Sequence, residues 1–269
     1  MGDTDFQLDS ETEADIVERL RSEGCVFAEE ETRLLAGEAR SLKEIRGWVE
    51  LRASGMPLEY VLGFTRFCGL RIELERGVFI PRPRTEFLVW QAKTFIRPDH
   101  NTMLDLCCGS GAVGAAVAAG VKAISLHAVD IDPVAVRCAS RNLAKTGGHV
   151  CQGDLYDVLP HSLKGRVDLI VANPPYVPTD SVILLPREAR LYEPEHALDG
   201  GKDGLDLHRR IAEKAVDWLV SGGHLLMESS EAQGAKTLDI FVEAGLHAKV
   251  VRDENLDATV VIGIKPSYK

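Results

Sequence analysis

Long apolar runs are missing from this chain: nowhere in its 269 residues do about 18 uncharged apolar positions follow one another, so no membrane-spanning helix is expected. The opening residues Met1-Gly2-Asp3-Thr4-Asp5 are acidic where a secretory leader would be basic and then apolar, which points to the cytoplasm. Positive charge is in short supply. Lys and Arg number 31 against 41 Asp and Glu, a net charge of -10, and this argues against broad salt-driven binding to nucleic-acid backbones, leaving room only for a local basic patch. The six cysteines lack any C-x-x-C spacing and the chain is too large to need a disulfide framework, so reduced, mostly buried thiols are expected. His127, His149, His196, His208 and His224 stand singly, as surface or strand-end residues do, whereas metal ligands would cluster; no metal is expected. Nothing in the sequence sets an oligomeric state.

What is present is ordered into segments. From Glu11 to about Ser54, apolar residues such as Ile16, Leu20, Leu34, Leu35, Ile45 and Val49 recur at three- and four-residue steps, predicting three short amphipathic helices punctuated by Gly24 and Gly37. The acidic run Glu29-Glu30-Glu31 reads as a solvated helix face. Between Pro57 and Pro83 the pattern shortens to Phe64-Thr65-Arg66-Phe67 and Leu70-Arg71-Ile72-Glu73-Leu74 around Gly69, a β-hairpin joining two domains. A helix is predicted from Thr85 to Phe95. Beyond Asn101, β-type runs (103–106, 124–129, 167–172, 224–227, 248–251 and 259–264) alternate with helix-like stretches, the pattern of a doubly wound α/β sheet. The expected domains are 1–56 (helical, substrate-recognising), 57–83 (hairpin linker) and 84–269 (the catalytic α/β domain).

The first of those strands ends in Leu104-Asp105-Leu106-Cys107-Cys108-Gly109-Ser110-Gly111-Ala112-Val113-Gly114, and the second ends about 20 residues later at Val129-Asp130-Ile131-Asp132. Glycines at a strand-to-helix turn let backbone approach a ligand, and Asp130 can accept both ribose hydroxyls of a nucleoside-bearing cofactor. Gly109, Gly111 and Gly114 also spell G-x-G-x-x-G, so the loop alone leaves NAD and S-adenosylmethionine both open. Asp105 favours the second, since a carboxylate suits an ammonium group and has no evident work beside a pyrophosphate. Cys107 and Cys108 read as packing residues of a tight turn.

Asn173-Pro174-Pro175-Tyr176 follows the fourth strand. An amide nitrogen is a poor nucleophile because its lone pair is delocalised, and methylating it requires the NH2 to be held in line with both hydrogens bonded away from the attack path. The Asn173 side-chain oxygen and the Pro174 carbonyl can do this, the prolines stiffen the loop, and Tyr176 offers a flat face to a planar acceptor. Asn173, Pro174 and Tyr176 are thus the candidate catalytic residues. Exocyclic base amines or a small-molecule amide would suit a similar cup; an oxidoreductase or a non-catalytic cofactor-binding protein are the readings from other classes.

These stretches, with Pro57-Leu58-Glu59-Tyr60-Val61-Leu62-Gly63, Phe79-Ile80-Pro81-Arg82-Pro83-Arg84-Thr85-Glu86 and Glu193-Pro194 through Ala197-Leu198-Asp199-Gly200-Gly201-Lys202-Asp203-Gly204-Leu205, resemble the HemK/PrmC family of protein N(5)-glutamine methyltransferases over about 57–263. The resemblance implies a seven-stranded methyltransferase sheet behind an N-terminal helical bundle, and methylation of the Gly-Gly-Gln loop of peptide chain release factors. S-adenosylmethionine would bind at Asp105, Cys107, Gly109, Gly111, Asp130, Ile131, Asp154, Leu155 and Asn173. The acceptor would lie at Arg82, Pro83, Thr85 and Asn173-Pro174-Pro175-Tyr176. Three departures stand out: Arg84 where the family usually has an acid, Cys107-Cys108 where it has Gly-Thr, and Glu228-Ser229-Ser230 where it has Glu-Ile-Gly.

Overall fold

Three helices form where the periodicity placed them: α1 (Ser10–Ser22), α2 (Ala28–Glu38) and α3 (Leu42–Ala53). Asp9 caps α1 by accepting the Thr12 N–H at 2.8 Å, and Ser41 caps α3 through the Glu44 N–H. The computed structural model describes residues 6–99 and 101–267; the acidic opening Met1-Gly2-Asp3-Thr4-Asp5 lies outside them. The run Glu29-Glu30-Glu31 is only partly a solvated face. Glu31 turns inward and takes the Arg52 guanidinium at 2.7 Å, both side chains about nine-tenths buried, because the α2 face that carries it packs on α3.

The connector holds a helix as well as the expected hairpin: α4 (Leu58–Leu62) precedes β1 (Phe64–Phe67) and β2 (Leu70–Glu73), paired antiparallel across Cys68 and Gly69. Both turn residues have positive φ, 49° and 76°, as a two-residue hairpin turn with matching twist requires. Next come α5 (Glu86–Lys93), β3 (Thr102–Leu106), α6 (Ala112–Ala118), β4 (Ser125–Asp130), α7 (Pro133–Leu143), β5 (His149–Gln152) and β6 (Val167–Ala172). The chain closes with α8 (Arg187–Tyr192), α9 (Asp206–Trp218), β7 (Leu219–Ser229), α10 (Gly234–Glu243), β8 (His247–Asp253) and β9 (Ala258–Ile264).

Seven strands make one sheet in the order β5-β4-β3-β6-β7-β9-β8, parallel except for β9, which runs against both neighbours. This is the expected doubly wound sheet. Alternate residues of the central strands enter opposite cores: Met103, Leu169 and Leu226 meet α5 and α6, while Leu104, Ile170, Leu225 and Met227 meet α9 and Phe241 of α10. β5 escaped the sequence reading because His149-Val150-Cys151-Gln152 sits at the sheet edge and carries no buried run. A third core joins Ile16, Leu20, Leu35, Ile45 and Val49 of the bundle to Tyr60 and Val61 of α4 and to Ala135 and Cys138 of α7. Among the described residues no helix is long and apolar enough to cross a membrane.

Candidate active site

The loops at the carboxyl ends of β3, β4, β5 and β6 surround one cavity of about 1070 Å³, at the place where an open α/β sheet binds its ligands. One half is acidic. Asp105 is buried at the end of β3, with Oδ2 accepting the Gly114 N–H at 2.8 Å. Burial, helped by nearby Asp130, pushes its carboxyl up to about 7. Only glycine fits at 114, since a Cβ there would stand 2.9 Å from that same oxygen. Asp130 braces the glycine loop, its Oδ2 taking the Gly109 N–H at 2.7 Å and its Oδ1 the Asp132 N–H at 3.0 Å; burial raises its pKa too. Each carboxylate oxygen keeps a further lone pair for ribose hydroxyls.

Two neighbouring carboxylates that burial pushes towards neutrality suit a ligand that brings positive charge, as the ammonium and sulfonium of S-adenosylmethionine do. Asp154, Leu155 and the exposed Ile131 line the same half. Leu155 sits at φ 49°. The Asp154 carboxylate is held by Arg210 Nη2 at 2.7 Å, a residue on α9 that sequence reading missed because nothing local marks a partner 56 positions away. Cys107 lines the wall at φ 55°, and burial with three surrounding carboxylates pushes its thiol pKa well above the ordinary range, against nucleophilic use. Gly111 is not on the wall; it opens α6 at φ 75° and lies close against Ala139 of α7.

The other half is the Asn-Pro-Pro-Tyr loop leaving β6. Asn173 Nδ2 donates to Thr85 Oγ1 at 3.4 Å, which turns the side-chain oxygen away as the free acceptor. Tyr176 donates its hydroxyl to Glu228 Oε1 at 3.2 Å, and Arg84 Nε lies 3.8 Å from the same oxygen. Glu228 Oε2 and Arg84 Nε are buried with no hydrogen-bond partner among the described residues. Burial raises the Glu228 carboxyl while Thr85, Arg84 and Tyr176 pull it down. Thus Arg84, which departs from the family pattern, is matched by a buried acid at the end of β7. Arg82 reaches Glu193 at 2.5 Å on the same side. Pro83 is not on the wall; it starts a short 3-10 turn, residues Pro83–Thr85, that delivers Thr85. His208, expected at a surface or strand end, is fully buried on α9 with its ring 3.2 Å from the Glu228 carbonyl, and burial lowers its pKa to about 4.

Strand order and a two-part cavity, acidic on one side and lined by Asn173-Pro174-Pro175-Tyr176 on the other, define a class I methyltransferase that takes its methyl group from S-adenosylmethionine. Residues 83–184 match the family model described as methyltransferase small domain. Over 206 residues the chain is 39% identical to the release factor glutamine methyltransferase of Geobacter sulfurreducens, covering 76% of this chain and 71% of that protein. Over 231 residues it is 32% identical to that of Thermodesulfovibrio yellowstonii, covering 83% and 81%. A solved methyltransferase from Pyrococcus furiosus shares the fold, with a TM-score of 0.55 at 19% identity over 74% of this chain and 90% of that one. The chain belongs to the release factor glutamine methyltransferase family. The dinucleotide reading that the glycine spacing left open is thereby set aside.

Proposed function

We propose that the acceptor is the side-chain amide nitrogen of a glutamine in a peptide chain release factor, within the Gly-Gly-Gln loop that the family resemblance indicates. The observation that carries this is the Asn173 amide, whose Nδ2 is taken by Thr85 Oγ1 at 3.4 Å, leaving its oxygen as the acceptor in a cavity that Asn173 and Pro174 both line. The bound cofactor supplies an electrophilic methyl on a sulfonium. Asn173 and the Pro174 carbonyl each accept one hydrogen of the acceptor NH2, which turns the nitrogen lone pair towards that methyl. The Tyr176 ring flanks the planar amide, and the hydroxyl bond to Glu228 stops the ring from swinging. Methylation makes the nitrogen acidic, so its proton leaves to water without a protein base. In this reading residues 1–56 grip the body of the protein substrate, 57–83 connect, and 84–269 carry out transfer, in the cytoplasm where release factors act.

The experiment is single-turnover transfer of labelled methyl to a purified release factor, with the modified residue located by mass spectrometry. Asn173→Ala is expected to lower the rate by more than about 100-fold with cofactor affinity little changed, because an NH2 hydrogen loses its partner. Near-normal transfer by Asn173→Ala, or label on anything but glutamine, would sink the amide reading.

A further inference from the structure

Beyond Tyr176 the loop is stitched to the segment 198–204 by main-chain bonds: Val177 N–H to the Leu198 carbonyl at 3.1 Å, Gly200 N–H to the Val177 carbonyl at 2.8 Å, and Thr179 N–H to the Gly201 carbonyl at 3.0 Å. The Tyr176 carbonyl, one peptide nearer the cup, is held differently. It accepts from the side-chain Nε2 of Gln233 at 2.9 Å, and the same nitrogen donates to the Asp203 carbonyl, also at 2.9 Å. Ser230 Oγ donates to Gln233 Oε1 at 2.5 Å.

Two carbonyl acceptors on one side and a hydroxyl on the other fix which end of the Gln233 amide points where. Gln233 is buried, at the end of the short turn that follows β7. The end of β7 therefore grips Tyr176 twice, at its hydroxyl through Glu228 and at its carbonyl through Gln233. Between Asn173 and Tyr176 both φ angles are locked by proline rings and the residue before each proline is held extended, so Pro175 ψ and the torsions at Tyr176 are the next places where the loop can swing. Fixing its carbonyl fixes the direction in which Asn173 and the Pro174 carbonyl are presented.

We propose that Gln233, with its amide set by Ser230, is a positioning residue for methyl transfer that locks the downstream end of the acceptor cup. This deepens the amide-transfer reading above and rests on it. Ser230 stands where the family resemblance expects glycine, so in this chain the hydroxyl supplies an orienting contact that a glycine has no atom to make.

The test is Gln233→Met, which keeps length and bulk but removes both donors. Single-turnover transfer to release factor, counted per cofactor-binding molecule, is expected to fall roughly 10- to 100-fold, with cofactor affinity and acceptor KM within about twofold. Ser230→Ala is expected to give a smaller loss, and Ser230→Thr, which restores a hydroxyl, to recover the rate. A role in stability alone would lower the folded fraction and leave the rate per cofactor-binding molecule unchanged; that result overturns the proposal. Wild-type protein in the same assay separates the two readings, since failure of the wild type to modify glutamine sinks the acceptor assignment. The clamp is tested independently by hydrogen exchange: the amides of Val177 and Thr179 exchange faster in Gln233→Met than in wild type, and unchanged exchange there also overturns it.

Discussion

Asp105 and Asp130 show how a site prepares for a charge it does not itself carry. The Asp105 carboxyl, raised to about 7 by burial, holds its proton in the folded chain at pH values where the unfolded chain has released it. A raised acid contributes stability that is full below the ordinary carboxylate range and lost as pH rises through the folded value. The cofactor-free protein is therefore expected to lose thermal stability between about pH 4 and 7, and Asp105→Asn to flatten that slope. If the cofactor ammonium sits at Asp105, its binding draws the proton off. Calorimetry at about pH 6 in two buffers of different ionisation heat should register proton release on S-adenosylmethionine binding, with affinity rising roughly tenfold towards pH 8. Binding that is indifferent to pH and releases no proton would remove Asp105 from the ammonium site.

At the scale of elements, the acceptor loop depends on its neighbours' lack of side chains. Gly204 has φ 76°, and a Cβ there would fall 2.2 Å from the Tyr176 carbonyl oxygen and 2.4 Å from Gln233 Nε2. Gly204→Ala is expected to cost at least about 2 kcal/mol in denaturant unfolding and to impair methyl transfer while S-adenosylmethionine still binds; an alanine variant of normal stability and rate would contradict this packing. Such contacts explain what could be read in advance. The three N-terminal helices, the hairpin and six of the seven sheet strands carry local periodicity or turn chemistry, while the five-residue α4 is too short to show a period; Asn173 to Tyr176 and the glycine loop carry their chemistry in adjacent residues. Arg210, Glu228 and Gln233 act on partners 56, 52 and 57 positions away, so no spacing betrays them. His208 and Glu31 were misjudged because burial is decided by which helix faces meet.

Across the whole molecule, the bundle and the transfer domain are joined by more than a hinge. Arg52 of α3 bonds Glu31 of α2 and, at 2.8 Å, Glu188 of α8, which lines the cavity. Arg52→Met is expected to destabilise the chain by about 3 kcal/mol, because Glu31 stays largely buried without its counter-ion; the fall in thermal midpoint measures it, and Glu31→Gln in the same background should recover part of the loss. The proposed boundary near Pro57 crosses a continuous core, so a chain begun there would uncover Tyr60, Val61 and Cys138. The position of β9 bears on how such a molecule is made. It enters the sheet between β7 and β8, pairing Leu225 with Gly263 on one side and Val250 with Val261 on the other. During synthesis β8 emerges before the strand it must pair with, and β7 keeps an open apolar edge until Ala258–Ile264 has left the ribosome. Until β9 has emerged the nascent sheet is thus exposed to sticking to its neighbours, and a ribosome that stalls just short of β9 releases a chain whose sheet cannot close.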